Sequence, residues 1–193
     1  MKVAAIGLGS MGYGMAASLL RAGHEVYGVD VNADAMARFR GNGGAAGALA
    51  DVAGELDAVV VVVLNAAQTE TVLFGDDGVV AGLRKGAVVM ACATVPPDFA
   101  RDMEARFNAV AVHYVDAPIS GGSVKAAAGK LSVMASGAPA AFEAAAPVLE
   151  ACAETVFRLG DAAGAGSAMK AVNQLLAGVH IAAMAEAMTF GMT

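Results

Sequence analysis

Three glycines near the start constrain this chain more than anything that follows. The stretch KVAAIGLGSMG (2–12) is a short apolar run leading into Gly7, Gly9 and Gly12, and an amphipathic segment over 10–22 ends at Gly23. Apolar strand, G-x-G-x-x-G turn and helix, in that order, are the opening of a doubly wound α/β unit. Each glycine has its own task. The first permits a tight turn, the second lets backbone approach a pyrophosphate, and the third lets helix and strand pack closely. The helix N-terminus then offers free N–H groups and a partial positive charge to an anion.

The rest of the chain continues the alternation. HEVYGVD (24–30) reads as a second strand, and Asn32 as a cap for the helix ADAMARFR. Residues 41–56 are Gly- and Ala-rich, and a short strand and turn are expected there. DAVVVVVL (57–64) and AVVMACA (87–93) are continuous runs suited to strands covered on both faces. A helix is expected over 66–74, and another from the Pro96–Pro97 pair to about Asn108. VHYVDAP (112–118), GKLSVMASG (129–137) and ETVFRLG (154–160) read as strands, with a helix over 139–151. Gly164, Gly166 and Ser167 introduce a last helix. The fold class is therefore α/β, Rossmann-type and doubly wound, with a mainly parallel sheet and the start of a long interdomain helix. The expected boundaries are 1–163 for the dinucleotide-binding domain and 164–193 for that helix.

Asp30 ends the second strand, 18 residues after Gly12. A carboxylate there accepts hydrogen bonds from an adenosine ribose. The sequence continues DVNADA, with no arginine at once available for a 2′-phosphate, so NAD is favoured over NADP. The competing reading is that Asp30 and Asn32 only cap the following helix.

Composition narrows the function classes. Net charge is −6, which disfavours a nucleic-acid footprint. Cys92 and Cys152 lie far apart and read as reduced core thiols of a cytoplasmic protein. No metal-ligand set is assigned. The apolar run over 175–193 is interrupted by His180 and Glu186, so a buried helix is expected in place of a membrane span. Apolar residues make up 58% of the chain, above the usual ~45–50%. That excess suggests apolar surface awaiting a cover.

Two further stretches carry polar groups of interest. Ser120, Gly121 and Gly122 follow a strand end, where successive backbone N–H groups can cradle an anion such as a carboxylate. A plain turn explains the same residues. Lys125 reads as a solvated helix charge. In the last helix, Lys170, Asn173 and Gln174 share one face. If Ser167 is the cap, Lys170 lies in the first turn, where helix dipole and apolar surroundings both depress its pKa. Such a lysine can move a proton near neutral pH. A snorkelling surface lysine is the alternative.

Taken together, GLGSMGYGMA, DAPISGG with GKLSVMASG, and GAGSAMKAVNQLLAGVHIAAMAEAM resemble the β-hydroxyacid dehydrogenases, the 3-hydroxyisobutyrate dehydrogenase-like family. VLNAAQ (63–68) and QLLAGVHIAA (174–183) resemble its L-threonate branch. The resemblance implies NAD-dependent oxidation of a small hydroxy acid, L-threonate or a similar sugar acid. It implies that Gly7, Leu8, Gly9, Ser10, Met11 and Gly12 hold the pyrophosphate and Asp30 the ribose, with Asn32 and Leu64 in the same cofactor set. Asn65 and Thr94 would lie near the nicotinamide end. Ser120, Gly121 and Gly122 would bind the substrate carboxylate, Lys170 would be the general acid/base, and Asn173 or Gln174 would orient substrate. The family usually has Asn where this chain has Gln174.

Family members are longer and continue the last helix into an all-helical domain that covers the site and builds a homo-oligomer. The resemblance thus implies a chain that stops within that helix and does not turn over by itself. Three rival readings stay open. One is a dinucleotide-binding module without chemistry. Another is a relative of 6-phosphogluconate dehydrogenases or imine reductases. The third is an interaction protein that pairs through its final helix.

Overall fold

The computed structural model describes residues 1–192. Its first half contains β1 (Lys2–Ile6), α1 (Gly12–Arg21), β2 (Glu25–Val29), α2 (Ala33–Gly41), α3 (Leu49–Val52), β3 (Ala58–Val61), α4 (Ala66–Phe74) and β4 (Val88–Ala91). Then follow α5 (Pro97–Ala109), β5 (His113–Asp116), β6 (Ile119–Ser120), α6 (Gly122–Ala128), β7 (Leu131–Ala135), α7 (Pro139–Cys152), β8 (Ala153–Arg158) and α8 (Ala165–Gly191).

Strands β1 to β5 form one parallel sheet in the order β2-β1-β3-β4-β5. The chain leaves β1 toward one edge and returns to β3 on the other side. The strand order therefore reverses between β1 and β3, and ligands of such sheets bind at the carboxyl ends beside that point. Both faces are covered. Along β1, Val3 and Ala5 join one core with Met15, Leu19 and Phe142. Ala4 and Ile6 join the other with Leu73, Met103 and Phe107. All four residues of β3 and of β4 are buried, as their unbroken apolar runs require.

Two details differ from the sequence-based expectation. The strands after β5 do not extend the main sheet. They form a second, three-stranded sheet, β6-β7-β8, with β6–β7 antiparallel and β7–β8 parallel. Among the described residues one antiparallel bridge, Asp116 to Ser136, joins the two sheets. Residues 41–56 also contain no full strand. One bridge, Ala45 to Tyr27, is followed by α3 and a 3-10 turn over Ala53–Glu55. Gly43 and Gly47 both take positive φ, which breaks extended pairing there.

Past Lys170, α8 leaves the body of the molecule. Its buried residues are Gly166, Ser167 and Lys170. Leu175, Leu176, Val179, Ile181, Met184 and Met188 are all exposed. No described helix is long and apolar enough to cross a membrane.

Candidate active site

The glycine loop turns where β1 meets α1. Gly7 has φ +94°, and a side chain there would overlap the Val62 carbonyl. A side chain on Gly12 would land on the Gly7 carbonyl oxygen. Both are glycine because the fold leaves no room. Gly9 is different: nothing lies within 4 Å of the place its Cβ would take. That open space is what a phosphate close to the backbone needs, and it faces the groove. No side chain caps α1, so its first-turn N–H groups remain available to an anion. These residues therefore fit the pyrophosphate of a dinucleotide.

At the end of β2, the Asp30 carboxylate accepts the Leu8 N–H at 2.5 Å and the Asn32 N–H at 2.8 Å. Asp30 thus ties the glycine loop to β2. Asn32 caps α2, accepting from Asp34 N–H at 2.9 Å and Ala35 N–H at 3.2 Å. A cavity of about 870 Å³ opens here, lined by Leu8, Gly9, Ser10, Tyr13, Asn32 and Arg38 among others. The Arg38 guanidinium lies 4.4 Å from the Tyr13 ring centre, and Asn42 donates to the Tyr13 hydroxyl at 2.6 Å. The expected lack of a basic group at this end is corrected. Arg38, eight residues beyond Asp30, reaches the cavity because α2 folds back beside α1.

A second groove, of about 420 Å³, runs from residues 9–12 of the glycine loop to Lys170. Leu64, Thr94, Ser120, Gly121, Gly122, Lys170 and Gln174 all line it. Five segments distant in sequence therefore meet at this end of the sheet. Gly121 and Gly122 have φ +136° and +77°, and α6 begins there without a side-chain cap. Their N–H groups can receive a carboxylate. Asn65 and Asn173 are not among the lining residues. Asn65 instead caps α4, accepting the Gln68 N–H at 2.9 Å. Asn173 is half-buried on the neighbouring stripe of α8. Lys125 is exposed and 3.7 Å from Glu154. Cys92 also lines the groove, but burial pushes its thiol pKa well up, so it offers no thiolate.

Lys170 is 7% exposed, and its Nζ donates to the Ile119 carbonyl at 2.8 Å. Burial lowers its pKa from the ordinary 10.5. The expected cap, however, is wrong. Gly164 precedes the helix, Ser167 is its third residue and Lys170 its sixth. Lys170 therefore lies beyond the first turn, and desolvation, not the helix dipole, depresses it.

The true cap comes from β5. The buried Asp116 carboxylate accepts the N–H groups of Gly164 at 3.0 Å and Ser167 at 2.8 Å. It also accepts the Ser167 hydroxyl at 2.6 Å and the Ser136 hydroxyl at 3.1 Å. Ser136 Oγ in turn accepts the Gly166 N–H at 2.9 Å. Sequence reasoning missed Asp116, Ser136 and Arg38. A buried acid inside DAPISGG was the available signal for the first.

Comparison with known proteins agrees with the fold. A family model for the NAD binding domain of 6-phosphogluconate dehydrogenase matches residues 2–160. The L-threonate dehydrogenase of Cupriavidus necator is 48% identical over 191 residues, covering 98% of this chain and 64% of the relative. The 3-hydroxyisobutyrate dehydrogenase of Pseudomonas aeruginosa is 38% identical over 192 residues, covering 98% and 63%. A crystal structure of 3-hydroxyisobutyrate dehydrogenase from Salmonella typhimurium superimposes with a TM-score of 0.92 at 48% identity, covering 97% of this chain and 66% of that one. The chain thus spans a little under two thirds of the length of these two sequence relatives. With its glycine loop, its carboxylate at the end of β2 and its match over residues 2–160, the chain belongs to the family of the NAD binding domain of 6-phosphogluconate dehydrogenase.

Proposed function

We propose that this chain is the cofactor-binding part of an NAD-dependent dehydrogenase acting on a small hydroxy acid, L-threonate or a similar sugar acid. One observation carries the reading. The buried amine of Lys170 lines the same groove as residues 9–12 and the turn over 120–122. An amine whose pKa burial lowers shares one groove with a phosphate-accepting loop and a carboxylate-accepting turn.

The roles follow from the groups present. The N–H groups of Gly121 and Gly122, with the Ser120 hydroxyl, hold the substrate carboxylate. Gln174, one turn beyond Lys170 on the same face, turns its amide toward the substrate hydroxyls. Thr94 and Leu64 flank the nicotinamide end. Bound nicotinamide supplies the hydride acceptor. Lys170, in its neutral form, accepts the proton of the substrate hydroxyl as the carbon-bound hydride departs, and returns a proton in the reverse direction. The Ile119 carbonyl keeps the amine aimed at the groove throughout. NAD is the preferred cofactor because Asp30 stands where a 2′-phosphate would be repelled. Arg38, which lines the cavity beside α2, offsets this preference.

The exposed apolar residues of α8 support pairing with a second copy or a further domain. Buried, unpaired Cys92 and Cys152 fit the reducing cytoplasm. The length relation favours a second reading for the 193-residue chain alone, a module that binds NAD without turnover. The test is a panel of hydroxy acids with NAD and NADP in parallel, run on the complete gene product and on the 193-residue chain. NAD-linked oxidation of a sugar acid by the former supports the dehydrogenase reading. NAD binding by both with turnover by neither supports the module.

A further inference from the structure

We propose that Asp116 is a positioning residue for the reaction: its carboxylate locks the first turn of α8 onto the end of β5 and so sets where Lys170 enters the groove. The inference rests on the dehydrogenase reading above and adds to it a residue that touches neither substrate nor cofactor.

Three independent features point to it. The first is the density of bonds on one buried group. Asp116 is 1% exposed, and its two oxygens accept four hydrogen bonds, two of them from Ser167 in α8 and one from Gly164, the residue that caps it. A tertiary carboxylate thus replaces the local side-chain cap that α8 lacks. The negative charge also faces the positive end of the 27-residue helix dipole.

The second is the closeness of approach. A side chain on Gly166 would overlap the Met134 carbonyl oxygen and come within 2.9 Å of the Asp116 carbonyl oxygen. Gly164 adopts φ +106° to enter the helix. The first turn of α8 is therefore pressed onto the junction between the two sheets, where Asp116 and Ser136 bridge by their backbones.

The third is geometric coupling to Lys170. Ser167 and Lys170 are three residues apart and share a face of α8. Asp116 grips that face at Ser167, and the Ile119 carbonyl grips it again at Lys170 Nζ. The short segment from Asp116 to Ile119 contains Pro118, whose φ is fixed, and Ile119 is paired with Val133 in β7. The segment that leads into the carboxylate-binding turn thus also clamps the lysine helix at two heights. Relaxing the lower grip lets α8 shift along β5 and moves the amine relative to the turn. Proton transfer tolerates little of this, since a displacement near 1 Å can cost about a hundredfold in rate.

The experiment uses the complete gene product with NAD and the hydroxy acid that the panel selects. Asp116→Asn and Ser167→Ala are compared with wild type for kcat, both KM values and the number of NAD sites by titration. Asn keeps the size but puts an NH2 group against N–H donors. Ser167→Ala removes one bond and suits a helix. Expressed per NAD site, kcat is expected to fall about tenfold to a hundredfold in Asp116→Asn and a few-fold in Ser167→Ala. The KM for NAD should stay within about twofold of wild type. A kcat per NAD site equal to wild type in both variants overturns the inference, as does a loss that only tracks the number of NAD sites. Should Asp116→Asn fail to fold, unchanged kcat per site in Ser167→Ala overturns it alone. Wild-type protein that oxidises no hydroxy acid overturns the dehydrogenase reading instead, so the two failures are distinguishable.

Discussion

The Nζ of Lys170 lies 2.8 Å from the carbonyl oxygen of Ile119, one residue before the turn that begins at Ser120. A peptide carbonyl accepts a hydrogen bond from ammonium or amine alike. Among the described ion pairs no carboxylate faces Lys170. Its burial is therefore not offset by a counter-charge, and desolvation lowers its pKa from the ordinary 10.5.

That relationship sets the sign of the pH dependence. Oxidation needs the neutral amine, so its rate should rise with pH through a midpoint below 10.5. Reduction needs the ammonium and should fall over the same window. Steady-state rates in both directions check this. Lys170→Arg should remove the rising limb, because a guanidinium does not titrate there.

The three glycines of the loop should separate folding from binding. Gly9→Ala meets open space, so its thermal midpoint should stay within about 3 °C of wild type. Its NAD affinity should fall at least about tenfold, since the methyl would fill the space proposed for the pyrophosphate. Gly12→Ala forces a methyl onto the Gly7 carbonyl and should cost about 3 kcal/mol or more of stability. Calorimetry beside NAD titration distinguishes the two effects.

Cofactor choice should turn on Asp30 and Arg38 together. Asp30→Asn removes the charge that repels a 2′-phosphate and leaves Arg38 in place. The NADP-to-NAD ratio of kcat/KM should rise about tenfold, the worth of one charge-assisted hydrogen bond. Arg38→Ala added to that variant should cancel most of the gain. A ratio unmoved by Asp30→Asn would show that this carboxylate serves only the Leu8 and Asn32 N–H groups.

Helix α6 should transmit packing on α1 to the substrate turn. A side chain on Gly14 would come within 2.7 Å of Ala127 N, and Ser18 and Arg21 donate to the Ala126 and Ala127 carbonyls at 2.9 and 2.6 Å. Gly14→Ala should destabilise by about 1–3 kcal/mol through overpacking. It should also raise KM for the hydroxy acid more than KM for NAD, because α6 starts at Gly122 in the turn proposed to take the substrate carboxylate. Paired KM measurements decide it.

What was legible in the sequence was local. The glycine turn, the buried runs of β3 and β4 and the proline start of α5 follow from chemistry within a few residues. The start of α8 was not legible in the same way. Ser167 looks like a cap because it is a serine before an apolar run, yet its hydroxyl bonds a carboxylate 51 positions away. The second sheet was hidden for a similar reason. Strands β6 to β8 carry ordinary strand patterns, and nothing local tells which sheet they join. Arg38 was passed over because its place in the cavity depends on how α2 docks beside Tyr13. The candidate site was therefore readable as a set of parts, while the contacts that aim those parts are tertiary.

The most direct test is Lys170→Ala in the complete gene product, with turnover and NAD affinity measured side by side. The account predicts that turnover falls by about a hundredfold or more, the usual share of a general acid/base, with NAD affinity within about twofold of wild type. Turnover close to wild type with intact NAD binding would contradict it and leave only a nucleotide-binding fold.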